Sequence, residues 1–316
     1  MVRHYIWGPD REPGADEGLM PMSGKDQGDR PTDAQAPRAP RVGLFRPGQP
    51  TPVEPVTLDQ RTGREIFLAP MSLAPFNPAR VWESITEIAP DPDRLARNGL
   101  FADAAQSPIT GTFDMLRTRV LQAMAARNWT RIAVTSPTHG CGKSFVAANL
   151  ALALARLPSC RTVLIDLELR APQLAQLFGQ KEAAPIIEFL MGEQPLESHF
   201  RRIGRNLALA LNGAPVPRAS ELIQDPEFPN ALGSLADLLQ PDVVIFDTPP
   251  ALVSDDVLSL ASEIDAVILV TDGTRTTPED IRACERLFKD RLPILGTVLN
   301  RAQDRALDRY AYGARG

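Results

Sequence analysis

Arg131-Ile-Ala-Val-Thr-Ser-Pro-Thr-His-Gly-Cys-Gly-Lys-Ser144 reads as a β-strand that runs into a glycine loop and then into a helix. Gly140 and Gly142 let the backbone turn tightly and aim its N–H groups inward. Lys143 can reach toward β- and γ-phosphates, and the Ser144 hydroxyl can ligate Mg²⁺. The run from Phe145 to Leu157 predicts a helix whose N-terminal dipole end adds further attraction for anions. His139, Gly140, Cys141, Gly142, Lys143, Ser144 and Phe145 are therefore the candidate phosphate cradle. The usual pattern G-x-x-x-x-G-K-[ST] calls for Gly at position 137, where this chain has Pro137. The context of an apolar strand before the loop and an Ala/Leu-rich helix after it supports nucleotide binding all the same.

The chain of 316 residues is 43% hydrophobic and 23% charged, an ordinary composition for a globular protein. Its formal net charge of -5 argues against a general nucleic-acid binder, which would show a basic face. Three scattered cysteines, Cys141, Cys160 and Cys284, fit a reducing cytoplasm better than a disulfide framework. His4 and His199 show no metal-ligand spacing with them. No apolar run reaches the ~18 to 20 residues that cross a bilayer, and no signal-peptide core is visible. Work at a membrane would thus require a partner to bring the protein there.

Half of the 30 prolines lie before residue 93. The first sixty residues carry few aliphatics and cannot bury enough apolar surface to offset their ordering entropy, so disorder is expected there. Their charges are mixed in sign, unlike a polybasic lipid anchor. Ile66-Phe67-Leu68 and Val81-Trp82 are small apolar islands, read as parts of a linker in preference to a docking segment. The expected organisation is a disordered Pro-rich region over 1–95 with room for a docking segment, a nucleotide-binding domain over 96–305 and a tyrosine-containing tail over 306–316.

From Ser107 onward the texture changes. Phe113, Leu116, Val120, Leu121 and Met124 recur at three- and four-residue spacing, predicting an amphipathic helix. Strand-like runs follow at 131–136, Thr162–Asp166, Leu207–Leu211, Val243–Asp247, Ala266–Thr271 and Ile294–Leu299. Helical patterns at 145–157, 172–178, 229–239, 254–263 and 277–289 separate most of them. This alternation predicts an α/β fold with a mostly parallel sheet flanked by helices on both faces. Ligands of such sheets sit beyond the carboxyl ends of the strands, where the glycine loop, Asp166 and Asp247 all fall. Two carboxylates ending apolar strands suit a phosphate-transfer site that needs Mg²⁺ held directly or through water.

The three segments resemble the Walker A, A′ and B motifs of the bacterial tyrosine kinases of capsule and exopolysaccharide export, within the wider group of Min- and Par-type P-loop ATPases. The resemblance covers roughly residues 105–312. The family's A′ motif, D-x-D-x-R, is similar to Asp166-Leu-Glu168-Leu-Arg170, with Glu for the second Asp. Its B motif, D-x-x-P, is matched by Asp247-Thr-Pro-Pro250. Leu295-Gly-Thr-Val-Leu-Asn300 is similar to the segment whose Asn reads the adenine edge. Thr138 stands where partition and division-site ATPases carry a signature lysine, which sides with the kinase branch.

The resemblance implies an ATP- and Mg²⁺-dependent protein-tyrosine autokinase. Lys143, Asp166 and Asp247 would be catalytic, and Ser144, Asp166 and Asp247 would serve the metal. Asp166 would orient the tyrosine or take its proton, while Glu168 and Arg170 are second choices for metal or phosphate contacts. Tyr310 and Tyr312, two of the three tyrosines in the chain, would be phosphoacceptors in trans. A transmembrane activator or polysaccharide co-polymerase would hold the protein at the inner face of the membrane. Self-association is also implied, although the family's assembly motif E-x-x-R-x-x-R is reduced to Gly111, Asp114 and Arg117. That reduction and the short tail suit an alternative, an ATP-binding regulatory switch without kinase activity. Cys141 is read as a small residue at a variable loop position in preference to a redox-sensitive thiol, and His139 as a filler in preference to a base.

Overall fold

The computed structural model describes residues 3–5, 76–102, 108–180 and 182–302. In chain order the strands are β1 (Arg3–Tyr5), β2 (Thr86–Glu87), β3 (Arg131–Thr135), β4 (Thr162–Asp166), β5 (Phe200–Ile203), β6 (Leu207–Ala210), β7 (Val243–Asp247), β8 (Ala266–Asp272) and β9 (Ile294–Asn300). Among the described residues these form one sheet in the order β1-β9-β8-β3-β7-β4-β6-β5-β2. Pairing is parallel except between β1 and β9 and between β5 and β6. The predicted α/β class and the mostly parallel sheet are what the structure shows.

Alternate residues of the central strands feed two cores. Ile132, Val134, Leu164 and Ile245 pack on one face against the helices Pro108–Ala125 and Lys143–Ala155. Ala133, Val163, Ile165 and Phe246 pack on the other against the helices Glu227–Leu239 and Pro278–Phe288. With helices on both faces, strands such as β7 and β8 are buried at every position, which is why their sequences lack polar alternation. Helix Lys143–Ala155 is apolar nearly all round because it lies between the sheet and the helix Pro108–Ala125.

The expected disorder over 1–95 does not hold for Arg3–Tyr5, which pair with β9, or for residues 76–95. Residues 6–75, including Ile66-Phe67-Leu68, lie outside the described residues, as does the tail from 303 with Tyr310 and Tyr312. Residues 76–95 are part of the fold. Asn77 caps a helix, Pro78–Ser84, by accepting from the Ala79 N–H at 3.0 Å. Trp82 is only 3% exposed, and its indole N–H donates to the Leu239 carbonyl at 2.7 Å. The Val81-Trp82 island is therefore a docking segment and not a linker. A single large aromatic with a satisfied N–H offsets the ordering entropy that its polar neighbours cannot. Trp82→Ala should cost about 3–5 kcal/mol in urea unfolding. A loss within error of zero would show that this helix contributes nothing to the fold.

Candidate nucleotide and phosphoryl-transfer site

β3 delivers the loop to the carboxyl edge of the sheet, and the segment after β7 zips along it. The Ala251 N–H donates to the Ser136 carbonyl at 2.8 Å and the Leu252 N–H to the Pro137 carbonyl at 3.2 Å. Pro137 is buried in this zipper, and the chain turns further on, at Gly140 (φ +79°) and Gly142 (φ +90°). Glycine is thus needed at 140 and 142, and not at 137. A Cβ on Gly142 would also sit 2.2 Å from the Asn300 amide nitrogen. No side chain caps the helix that starts at Lys143, so its first N–H groups keep their capacity for an anion.

β4 and β7 are neighbours in register, with Asp166 directly opposite Asp247. Both carboxylates are fully buried. Asp166 Oδ2 accepts from the Leu174 N–H at 3.2 Å, while its Oδ1 and both oxygens of Asp247 receive no hydrogen bond. Lys143 Nζ lies 2.9 Å from Glu168 Oε2 and 3.7 Å from Asp247 Oδ1. Burial, then the charge of Asp247, hold the Asp166 carboxyl well above the usual carboxylate range. Burial also raises Asp247, against the pull of Lys143. Lys143 itself is raised: burial works against its charge, but Asp247 and Glu168 outweigh it.

One cation thus faces three buried carboxylates, a surplus of negative charge that suits a divalent cation. The donor set fits Mg²⁺: the Ser144 hydroxyl, the undonated oxygens of Asp247 and Oδ1 of Asp166 are all hard oxygen ligands. Among the described residues no three His, Cys, Asp or Glu side chains converge as a metal cage.

Several expected roles change once the side chains are placed. Glu168 is the direct partner of Lys143. Arg170 lines the cavity beside the site, where it is tied to Asp256 at 3.3 Å and donates to Ser220. Phe145 packs edge-on against Phe113, ring centroids 5.9 Å apart, and only its backbone belongs to the cradle. The Cys141 thiol is 1% exposed and lies 3.3 Å from the Thr138 carbonyl, which leaves it no access for alkylation. His139 is exposed and lines a cavity of about 340 Å³ with Glu168, Pro250 and Val253, beside the acidic cluster. Asn300 has its amide engaged: Nδ2 donates to the Cys141 carbonyl at 3.0 Å and Oδ1 accepts from the Arg301 N–H at 2.9 Å.

Sequence reasoning missed Arg301, which donates to the Gly140 carbonyl at 2.8 Å and pairs with Asp272. It also missed Arg275, whose guanidinium lies 3.3 Å from where a Cβ on Gly140 would sit. Both come from the ends of β8 and β9, far downstream of the loop, and no local pattern marks them. In the reduced assembly motif, Asp114 pairs with Arg156, and Arg117 donates to the Ala153 carbonyl at 2.9 Å. Those side chains fasten the helix Pro108–Ala125 to the end of the loop helix within the chain.

The family model ParA, described as the NUBPL iron-transfer P-loop NTPase, matches residues 128–306. The putative tyrosine-protein kinase EpsB of Ralstonia nicotianae (strain ATCC BAA-1114 / GMI1000) is 33% identical over 202 residues, which are 63% of this chain and 26% of that protein. The chain therefore spans about a quarter of that relative's length. The tyrosine-protein kinase YwqD of Bacillus subtilis (strain 168) is 27% identical over 208 residues, covering 66% of this chain and 87% of the relative. The crystal structure of the VpsO kinase domain superposes with a TM-score of 0.54 at 31% identity, covering 61% of this chain and 95% of that one. The matched range takes in the loop turned at Gly140 and Gly142, the buried Lys143 and the paired strand-end carboxylates, and the chain belongs to the ParA family of P-loop NTPases.

Proposed function

We propose that this protein is an ATP-dependent protein-tyrosine autokinase. The observation that carries the reading is the in-register pair of buried carboxylates, Asp166 and Asp247, with Lys143 held between Asp247 and Glu168 beside an open cavity. The loop N–H groups and Lys143 hold the β- and γ-phosphates, for which Lys143 exchanges its contact with Glu168. Bound Mg²⁺ supplies charge neutralisation on the phosphates, and Ser144 and Asp247 are the residues to hold it. Asp166, with its raised affinity for a proton, takes the phenol proton as the tyrosine oxygen bonds to the γ-phosphorus and ADP leaves. The cavity beside His139 and Glu168, with Pro250 and Val253 as its apolar side, admits the tyrosine ring.

Tyr310 and Tyr312 are the acceptors, presented by a second copy of the chain. Control of capsule or exopolysaccharide export, through a transmembrane activator at the inner membrane face, belongs to the same reading. Among the described residues no helix is long and apolar enough to cross a membrane. A second reading, an ATP-driven switch without tyrosine transfer, is favoured by Asp114 and Arg117, which are engaged inside the chain where the assembly motif would need them outside. Incubation with γ-labelled Mg-ATP separates the two. Label on Tyr310 and Tyr312 is the expected result. Hydrolysis without any phosphotyrosine, even with the membrane partner present, would leave the switch.

A further inference from the structure

Two adjacent residues at the end of β9 hold consecutive carbonyls of the phosphate loop. The Asn300 amide nitrogen donates to the carbonyl of Cys141 at 3.0 Å, and Arg301 Nη1 donates to that of Gly140 at 2.8 Å. A trans peptide unit carries its N–H on the side opposite its C=O. Pinning these two carbonyls toward β9 therefore points the N–H groups of Cys141 and Gly142 away from it. They are the last two N–H groups before the helix at Lys143, where an anion is cradled.

The Arg301 guanidinium is anchored in its turn. It lies 2.5 Å from Asp272 Oδ2, while the other oxygen of Asp272 accepts the N–H and hydroxyl of Thr274 at 2.8 and 2.6 Å. Burial alone would raise the Asp272 carboxyl, but Thr274 and Arg301 pull it below the usual range, so it stays a carboxylate. The backbone is committed as well. Arg301 adopts φ +53°, a left-handed conformation that non-glycine residues seldom take. Gly273 lies so close that a Cβ there would come within 2.9 Å of the Arg301 carbonyl oxygen. Strain of this kind persists where the surroundings over-determine it, and here it delivers a guanidinium to the loop.

We propose that Asn300, Arg301 and Asp272 form a clamp that pre-sets the phosphate-binding N–H groups, with Arg301 and Asp272 as positioning residues for nucleoside di- and triphosphates. The inference rests on the nucleotide reading of the site and deepens it. Because the N–H groups are aimed before the ligand arrives, no reorganisation is needed on binding. The clamp acts on the phosphates and leaves the base untouched.

The test is a titration of the full chain with a fluorescent ADP and Mg²⁺, with AMP as competitor, alongside thermal melting without nucleotide. Arg301→Asn suits it, since Asn tolerates the left-handed backbone but is too short to reach Gly140. The expected result is about tenfold weaker ADP binding, the scale of one lost charged hydrogen bond. AMP binding should change less, and the melting temperature should fall somewhat, because Arg301 also neutralises the buried Asp272 carboxylate. Arg301→Lys should recover part of the affinity through a single donor, and Asp272→Asn, which frees the guanidinium, should weaken ADP in the same direction. Wild-type ADP affinity in Arg301→Asn and Asp272→Asn would overturn the clamp and leave the nucleotide reading standing. So would an equal loss for AMP and ADP. A wild-type chain that binds no ADP would overturn both.

Discussion

Lys143→Met is expected to abolish phosphotyrosine formation and, at the same time, to destabilise the fold at neutral pH. The first effect follows from losing the cation that meets the β- and γ-phosphates, a loss of at least about 100-fold by analogy with single charge-stabilising donors. The second follows from the surroundings of Nζ, with Glu168 at 2.9 Å and Asp247 at 3.7 Å. Removing one member of a buried ion pair leaves charge uncompensated and typically costs about 3–5 kcal/mol. The pH dependence has a definite sign. Without the lysine, the folded-state affinities of Asp166 and Asp247 for protons rise further above their already raised values. Carboxylates with raised folded pKa values cost stability once they ionise, so the deficit opens as pH rises through those values and closes toward the ordinary carboxylate range. Thermal melting of both proteins at acid and at mildly basic pH reads this directly. Equal melting temperatures at basic pH would remove Lys143 from the centre of the cluster.

Asp166→Asn should do the opposite to stability while still stopping the chemistry. The carboxylate is fully buried, one oxygen has no donor, and burial together with Asp247 disfavours its charge. A group whose folded pKa is raised stabilises the fold only below its unfolded value, and that stability is lost as pH rises through the folded value. Replacing it by a neutral amide of the same shape, which can still accept from Leu174, relieves the cost. The variant should therefore melt higher than wild type above the ordinary carboxylate range and match it below about pH 4. Tyrosine transfer should fall by roughly 10²–10⁴, the usual contribution of a general base. The wild-type rate should rise with pH as Asp166 loses its proton, and the variant should show no such rise. A variant that keeps the wild-type rate and pH profile would deny Asp166 the proton.

The central strands were legible because they are buried on both faces. Val243-Val-Ile-Phe and Ala266-Val-Ile-Leu-Val can be little else than interior strands, and both are. β5 escaped because Phe200-Arg-Arg-Ile carries two charges near the edge of the sheet. The helix at Pro78 escaped because its contribution comes from one residue, Trp82, whose partner Leu239 lies 157 residues away. At the site, Asp166 and Asp247 could be read separately as strand ends, but their facing each other depends on β4 lying beside β7. Pro137 looked like a defect when measured against a pattern, and the zipper to Ala251 and Leu252 makes it an ordinary residue.

By itself the sequence determined the phosphate loop, the alternation of strands and helices, and which strands end in carboxylates. Those properties are local: a glycine's left-handed turn, an apolar period and a strand terminus are each written within a few residues. Only the tertiary structure decided that Lys143 lies on Glu168, that Arg170 turns to Asp256, and that Asn300 and Arg301 grip the carbonyls of Cys141 and Gly140. The last of these contacts reaches across 161 residues and exists because the sheet order sets the end of β9 over the loop that follows β3. Side-chain partners at that separation are chosen by strand order and register, which the local pattern of residues does not encode.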